Sequence, residues 1–81
     1  MSTLNERELA VLRAMIRYFN DHHNSLPHYY DLAQYVRLAH EEIIEAGDEL
    51  ERRGYVQLDR SAFGGWAVFK VTWEGQRAAQ Q

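Results

Sequence analysis

The chain has 81 residues, with 12 acidic and 9 basic side chains, a net charge of −3, no cysteine, one proline and five glycines. That length holds one small domain spanning residues 1–81, and the acidic balance excludes a strongly basic nucleic-acid protein at the level of the whole chain. Lack of cysteine excludes disulfides and thiolate metal sites and suits a cytoplasmic setting, and no apolar run approaches the roughly 18 residues of a membrane helix.

Leu9, Leu12, Ile16 and Phe19 recur at helical spacing, with Met15 widening the stripe, so the first element is an amphipathic helix. Asn5 is its expected N-cap and Glu8, three residues on, completes a capping box. The polar run Asp21-His22-His23-Asn24-Ser25 ends it near residue 22. Proline disfavours helix in the residue before it, so Leu26-Pro27 restarts the chain extended. A short second helix fits His28 to Val36, with Leu32, Ala33 and Val36 inward, followed by a turn at Arg37-Leu38-Ala39. The third helix runs from His40 to Arg53, with Ile43, Gly47 and Leu50 on one face, and Gly54 supplies a left-handed stop.

Beyond Gly54 the period becomes two. Residues 55–59 and 66–72 read as strands of a hairpin around a turn, Ser61 to Gly65, and the tail from Trp73 to Gln81 has room for one further helical turn. Leu9, Leu12, Ile16, Leu32, Val36, Ile43 and Leu50 form the expected core, and Gly47 is expected at a close crossing of two helices. Tyr29, Tyr30 and Tyr35 crowd a helix too short to bury all three. One or two of them should be exposed, marking a surface for a partner or for homodimer formation.

Helix, helix, turn, helix and hairpin is the order of an α+β winged helix-turn-helix domain. Leu4-Asn5-Glu6-Arg7-Glu8, Leu26-Pro27, Asp31-Leu32-Ala33-Gln34 and Leu50-Glu51-Arg52-Arg53-Gly54-Tyr55-Val56 resemble the N-terminal domain of LexA-type repressors. The segment Val71-Thr72-Trp73-Glu74-Gly75-Gln76-Arg77 is similar to the stretch after the wing in MarR- and PadR-like regulators. The resemblance implies a third helix in the major groove, with His40, Glu41, Glu42, Ile44, Glu45, Asp48 and Glu49 facing DNA. It also implies wing contacts from Arg60, Ser61 and Phe63, with Arg37 and His28 near phosphates.

Charge argues against that docking. From His40 to Arg53 six carboxylates (Glu41, Glu42, Glu45, Asp48, Glu49 and Glu51) oppose Arg52 and Arg53, a net −4. Duplex DNA draws its affinity largely from phosphate neutralisation, so such a helix is repelled from the groove. The helix dipole accounts for Glu41 and Glu42 in the first turn, but not for acids beyond it. Two functions therefore compete. One is a small DNA-binding transcription regulator of bacterial or phage type, contacting duplex DNA through the wing and the helix-turn-helix, which a continuous basic strip through Arg37, Arg60 and Lys70 would favour. The other is a winged helix turned protein-binding module, or an inhibitor presenting a DNA-like charge pattern, its acidic third helix docking a basic partner protein. No catalytic constellation, cofactor motif or metal-ligand spacing is present in the sequence, so neither reading involves an enzyme, a cofactor or a metal.

Overall fold

The computed structural model describes residues 4–61 and 64–80. Helix α1 spans Glu6–Asp21, and its first turn closes as the sequence requires. Asn5 Oδ1 accepts from the Glu8 N–H at 2.7 Å, and Glu8 Oε1 accepts from the Asn5 N–H at 3.1 Å. The His22 N–H, donating to Tyr18 O at 2.8 Å, closes the other end. The buried arc of α1 is Val11, Leu12, Ala14, Met15 and Tyr18. Of the expected stripe, Leu12 and Met15 lie at the centre of this face, whereas Leu9, Ile16 and Phe19 form its rim and are only half-buried, as is Val36 further on. The small Ala14 lies on the side that the later helices cover, whereas Ile16 and Phe19 look toward the hairpin, which covers them incompletely.

The second element is a 3-10 helix, η1, over Tyr29–Gln34, shorter and tighter than the helix expected from His28 to Val36. Its entrance is held by strand-like bonds: the Val68 N–H donates to Pro27 O at 2.7 Å and the Tyr29 N–H donates to Trp66 O at 3.1 Å. With His28 bridged antiparallel to Ala67, the chain leaves an extended segment and turns at once. Bonds spanning three residues, such as Tyr35 N–H to Leu32 O at 2.9 Å, suit a turn this short.

Helix α2, His40–Arg52, is the third helix of the sequence reading. It buries Ile43, Ala46, Gly47 and Leu50, one residue in each three or four. Gly54, at φ 82°, takes the left-handed stop, and the Tyr55 N–H reaches back to Leu50 O at 3.0 Å. Strands β1 (Val56–Asp59) and β2 (Ala67–Val71) then pair antiparallel. Val56 faces Val71 and Gln57 faces Lys70, but Leu58 faces Val68, so Phe69 is an extra residue on β2. Such a bulge breaks the alternation and re-aims a side chain. Ala67 and Val68 are both buried, and Phe69 is thrown outward.

The tail forms α3, Trp73–Ala78. Thr72 Oγ1 accepts from the Gly75 N–H at 3.1 Å and donates to Gly54 O at 2.7 Å. Gly75 packs so closely on the turn that a Cβ there would fall 2.1 Å from Tyr55 O. The elements share one core cluster, centred on Leu12, Met15, Leu32, Ile43, Leu50, Val56, Trp66 and Val68. No helix among the described residues is long and apolar enough to cross a membrane.

Candidate functional site

The hairpin is fixed against α2 by two contacts of different kinds. The Trp66 indole packs against Gly47, where a Cβ would sit 2.1 Å from Cζ2, and its Nε1–H donates to Ile44 O at 3.2 Å. Gly47 thus marks a close approach, but of a tryptophan to a helix, which corrects the expected helix-helix crossing. At the other contact, Glu51 Oε1 accepts from Arg60 Nη2 at 2.6 Å, while Glu51 Oε2 accepts from the Leu58 N–H at 3.0 Å. Arg60 Nη1 lies 2.9 Å from Asp48 Oδ1. Partial burial pushes the Glu51 carboxyl up, but the bonds from Arg60 and Leu58 outweigh it and leave the group below the usual carboxylate range.

Arg60 is therefore bound to α2. A guanidinium held between two carboxylates has lost most of the field that would attract a phosphate. Ser61 is engaged as well: its N–H and hydroxyl both donate to Asp59 Oδ1, at 2.9 and 2.6 Å, and hold the Asp59 carboxyl below its usual range. Phe63 lies outside the described residues.

The acids of α2 separate into two groups. Glu42 uses both oxygens internally, accepting from the Ala39 N–H at 2.9 Å and meeting Arg7 at 2.9 Å. Glu49 accepts from Arg52 Nε at 3.0 Å and from Arg53 Nε at 2.6 Å, which keeps its carboxyl below the ordinary range. Glu41 and Glu45 are exposed and have no partner among the described residues; Asp48 is exposed too and shared only with Arg60. Glu41, Glu45 and Asp48 follow one another at steps of four and three, on one side of the helix. Ile44, beside them, is half-buried and turned partly into the core cluster, so it is not the open apolar centre that the sequence suggested.

The three cations whose continuity would favour DNA have different surroundings. Arg37 is exposed in a shallow depression with Asn5, Glu6 and Arg7 at the start of α1. Lys70 lines a groove with Ile16, Phe19 and Gln76. Arg60 is paired to α2.

Aromatic rings border the acidic side. The His28 ring stacks on Tyr30 at 5.1 Å, and Tyr29 makes edge contacts with Tyr30, His40 and Trp66. Tyr30 is 47% exposed, the one tyrosine of the three with an open face, which agrees with the crowding argument. His22 packs on Tyr18 at the end of α1, and among the described residues no three His, Asp or Glu side chains gather to hold a metal ion. Sequence reasoning did not find the role of Glu51. Its signal was a carboxylate one turn before the Gly54 stop, in register with a strand that runs back along the helix.

No protein-family model, no curated protein and no solved structure matches this chain. The functional reading therefore rests on the geometry and charge of its surfaces.

Proposed function

We propose that the chain is a winged helix-turn-helix domain that acts as a protein-binding module, with α2 docking a basic surface. The element order and the His28 bridge, which adds a third short edge to the hairpin, support the domain type. The observation that carries the function is the pairing of Arg60 with Asp48 and Glu51, beside the open carboxylates Glu41 and Glu45. A DNA reader draws on wing cations free for phosphate and on a groove-facing helix without net repulsion, whereas here the wing cation beside α2 is paired and α2 itself is acidic. A basic protein surface meets the opposite situation. Glu41 and Glu45 steer it in, and Asp48 adds its charge beside them on the same side of the helix.

The test is a triple variant, Glu41→Gln, Glu45→Gln and Asp48→Asn, measured against an arginine-rich peptide and a random-sequence DNA duplex. The wild type binds the peptide in a salt-dependent way and ignores the duplex, and the variant loses peptide affinity, most clearly at low salt. Equal peptide binding by both proteins refutes the reading.

A transcription regulator is the second reading, favoured by the helix-turn-helix order and by the resemblance to LexA-type, MarR-like and PadR-like regulators. Fold alone does not fix function, so this is argument by analogy. It requires the wild type to bind duplex DNA and the triple variant to bind it more tightly.

A further inference from the structure

On the side of the hairpin formed by β2, α1 and α3, the surface is open and carries exposed aromatic side chains. The β2 bulge leaves Phe69 56% exposed, and Trp73, the first residue of α3, is 72% exposed. Between α1, β2 and α3 runs a groove of about 180 Å3, its apolar walls made by Ile16, Phe19, Phe69 and Val71. Lys70 is the charged residue on its lining. Glu74 follows Trp73 and is exposed. Neither Lys70 nor Glu74 has an ion-pair partner among the described residues, and although four positions apart they do not meet each other.

We propose that a second copy of this chain covers this surface, with Trp73 of each copy seated in the groove of the other and Glu74 of each beside Lys70 of the other. The patch carries both halves of its own complement: an aromatic knob with an acid, and an apolar groove with a cation. A two-fold axis satisfies both sets at once, because in an isologous interface each contact occurs twice. A purely basic or purely acidic partner would leave Lys70 or Glu74 facing a like charge. Trp73, at the start of a six-residue helix, is outside the core cluster and mostly exposed, whereas large aromatics anchored in a pocket dominate interface energetics. None of the groove's residues belongs to α2, so this inference stands apart from the proposed function.

Sedimentation equilibrium over a wide concentration range tests it, with circular dichroism melts to show that each variant is folded. The wild type forms a dimer, and Trp73→Ala weakens it about thirtyfold, as removal of a central anchor does. Lys70→Glu and Glu74→Lys each weaken the dimer, because each places like charges across the axis. The double variant Lys70→Glu with Glu74→Lys restores it, a result that a general loss of folding cannot produce. A wild type that stays monomeric throughout overturns the proposal. So does a dimer indifferent to Trp73→Ala and to the charge exchange, which lies on another face. A groove that captures the arginine-rich peptide instead, with Phe69→Ser abolishing that capture in a monomer, also overturns it.

Discussion

Trp66 and Phe69 stand three residues apart at the same strand, and they meet opposite surroundings. Trp66 is fully buried, its ring against Gly47 and its N–H on a helix carbonyl. Phe69, of similar hydrophobic character, is open to solvent because the bulge displaces it from the ladder. The inner side of the hairpin is a fitted joint, where a missing side chain at Gly47 makes room for the largest one in the protein. Its outer side is unfitted surface. The burial of an aromatic residue here is decided by register and by what lies opposite, since hydrophobicity is nearly the same for both.

The largest effect expected from breaking this comparison is that of Trp66→Ala. Emptying a site enclosed by α2, η1 and the hairpin should cost about 3–5 kcal/mol, a large share of the stability of so small a domain, read from urea denaturation. Next comes Gly47→Leu, which drives a side chain into the indole and should cost about 1–3 kcal/mol in the same measurement. If that variant melts like the wild type, Trp66 is not seated on Gly47.

A smaller loss, about 1 kcal/mol, should follow Glu51→Ala, which strips the Leu58 N–H of its acceptor and leaves Arg60 with Asp48 as its remaining acid. The same residue gives the joint a pH signature. Because the folded carboxyl sits below its ordinary range, its contribution is present above the unfolded value and disappears as pH falls through the folded one. Removing Glu51 should therefore flatten the acid limb of the stability profile, as followed by thermal melts through the range where carboxylates titrate.

Phe69→Ser should be smallest, within about 0.5 kcal/mol for one copy of the chain. A loss of several kcal/mol there would mean that the outer face is as fitted as the inner one.

Much of the joint's framework was legible in the sequence. Asn5 and Glu8 announce the start of α1, Gly54 its counterpart at the end of α2, and the change of period at Tyr55 the hairpin, because these signals act over a few residues. Details set by distant partners were not legible. Nothing local says that Pro27 and His28 bond to β2, so η1 reads as an ordinary short helix rather than as a tight turn leaving a strand. Phe69 alternates correctly for a regular strand, and only the pairing with Gln57 and Leu58 reveals the extra residue. At the candidate site, the acidic character of α2 is plain in the sequence. The capture of Arg60 by Asp48 and Glu51 is not, since it depends on how the hairpin folds back over the helix.

The Thr72 hydroxyl joins two places that are far apart along the chain. It bonds the carbonyl of Gly54, where α2 stops, and the Gly75 N–H, where α3 begins. A short terminal helix would ordinarily fray independently, giving its amides little protection from solvent hydrogen. With this hydroxyl shared, α3 cannot lift away without exposing the Gly54 turn, and the turn cannot open without loosening α3. In hydrogen-deuterium exchange, amides at residues 54–55 and 75–79 should exchange together as one cooperative unit. Thr72→Val, which keeps the shape and removes the hydroxyl, should separate their rates and leave α3 the faster.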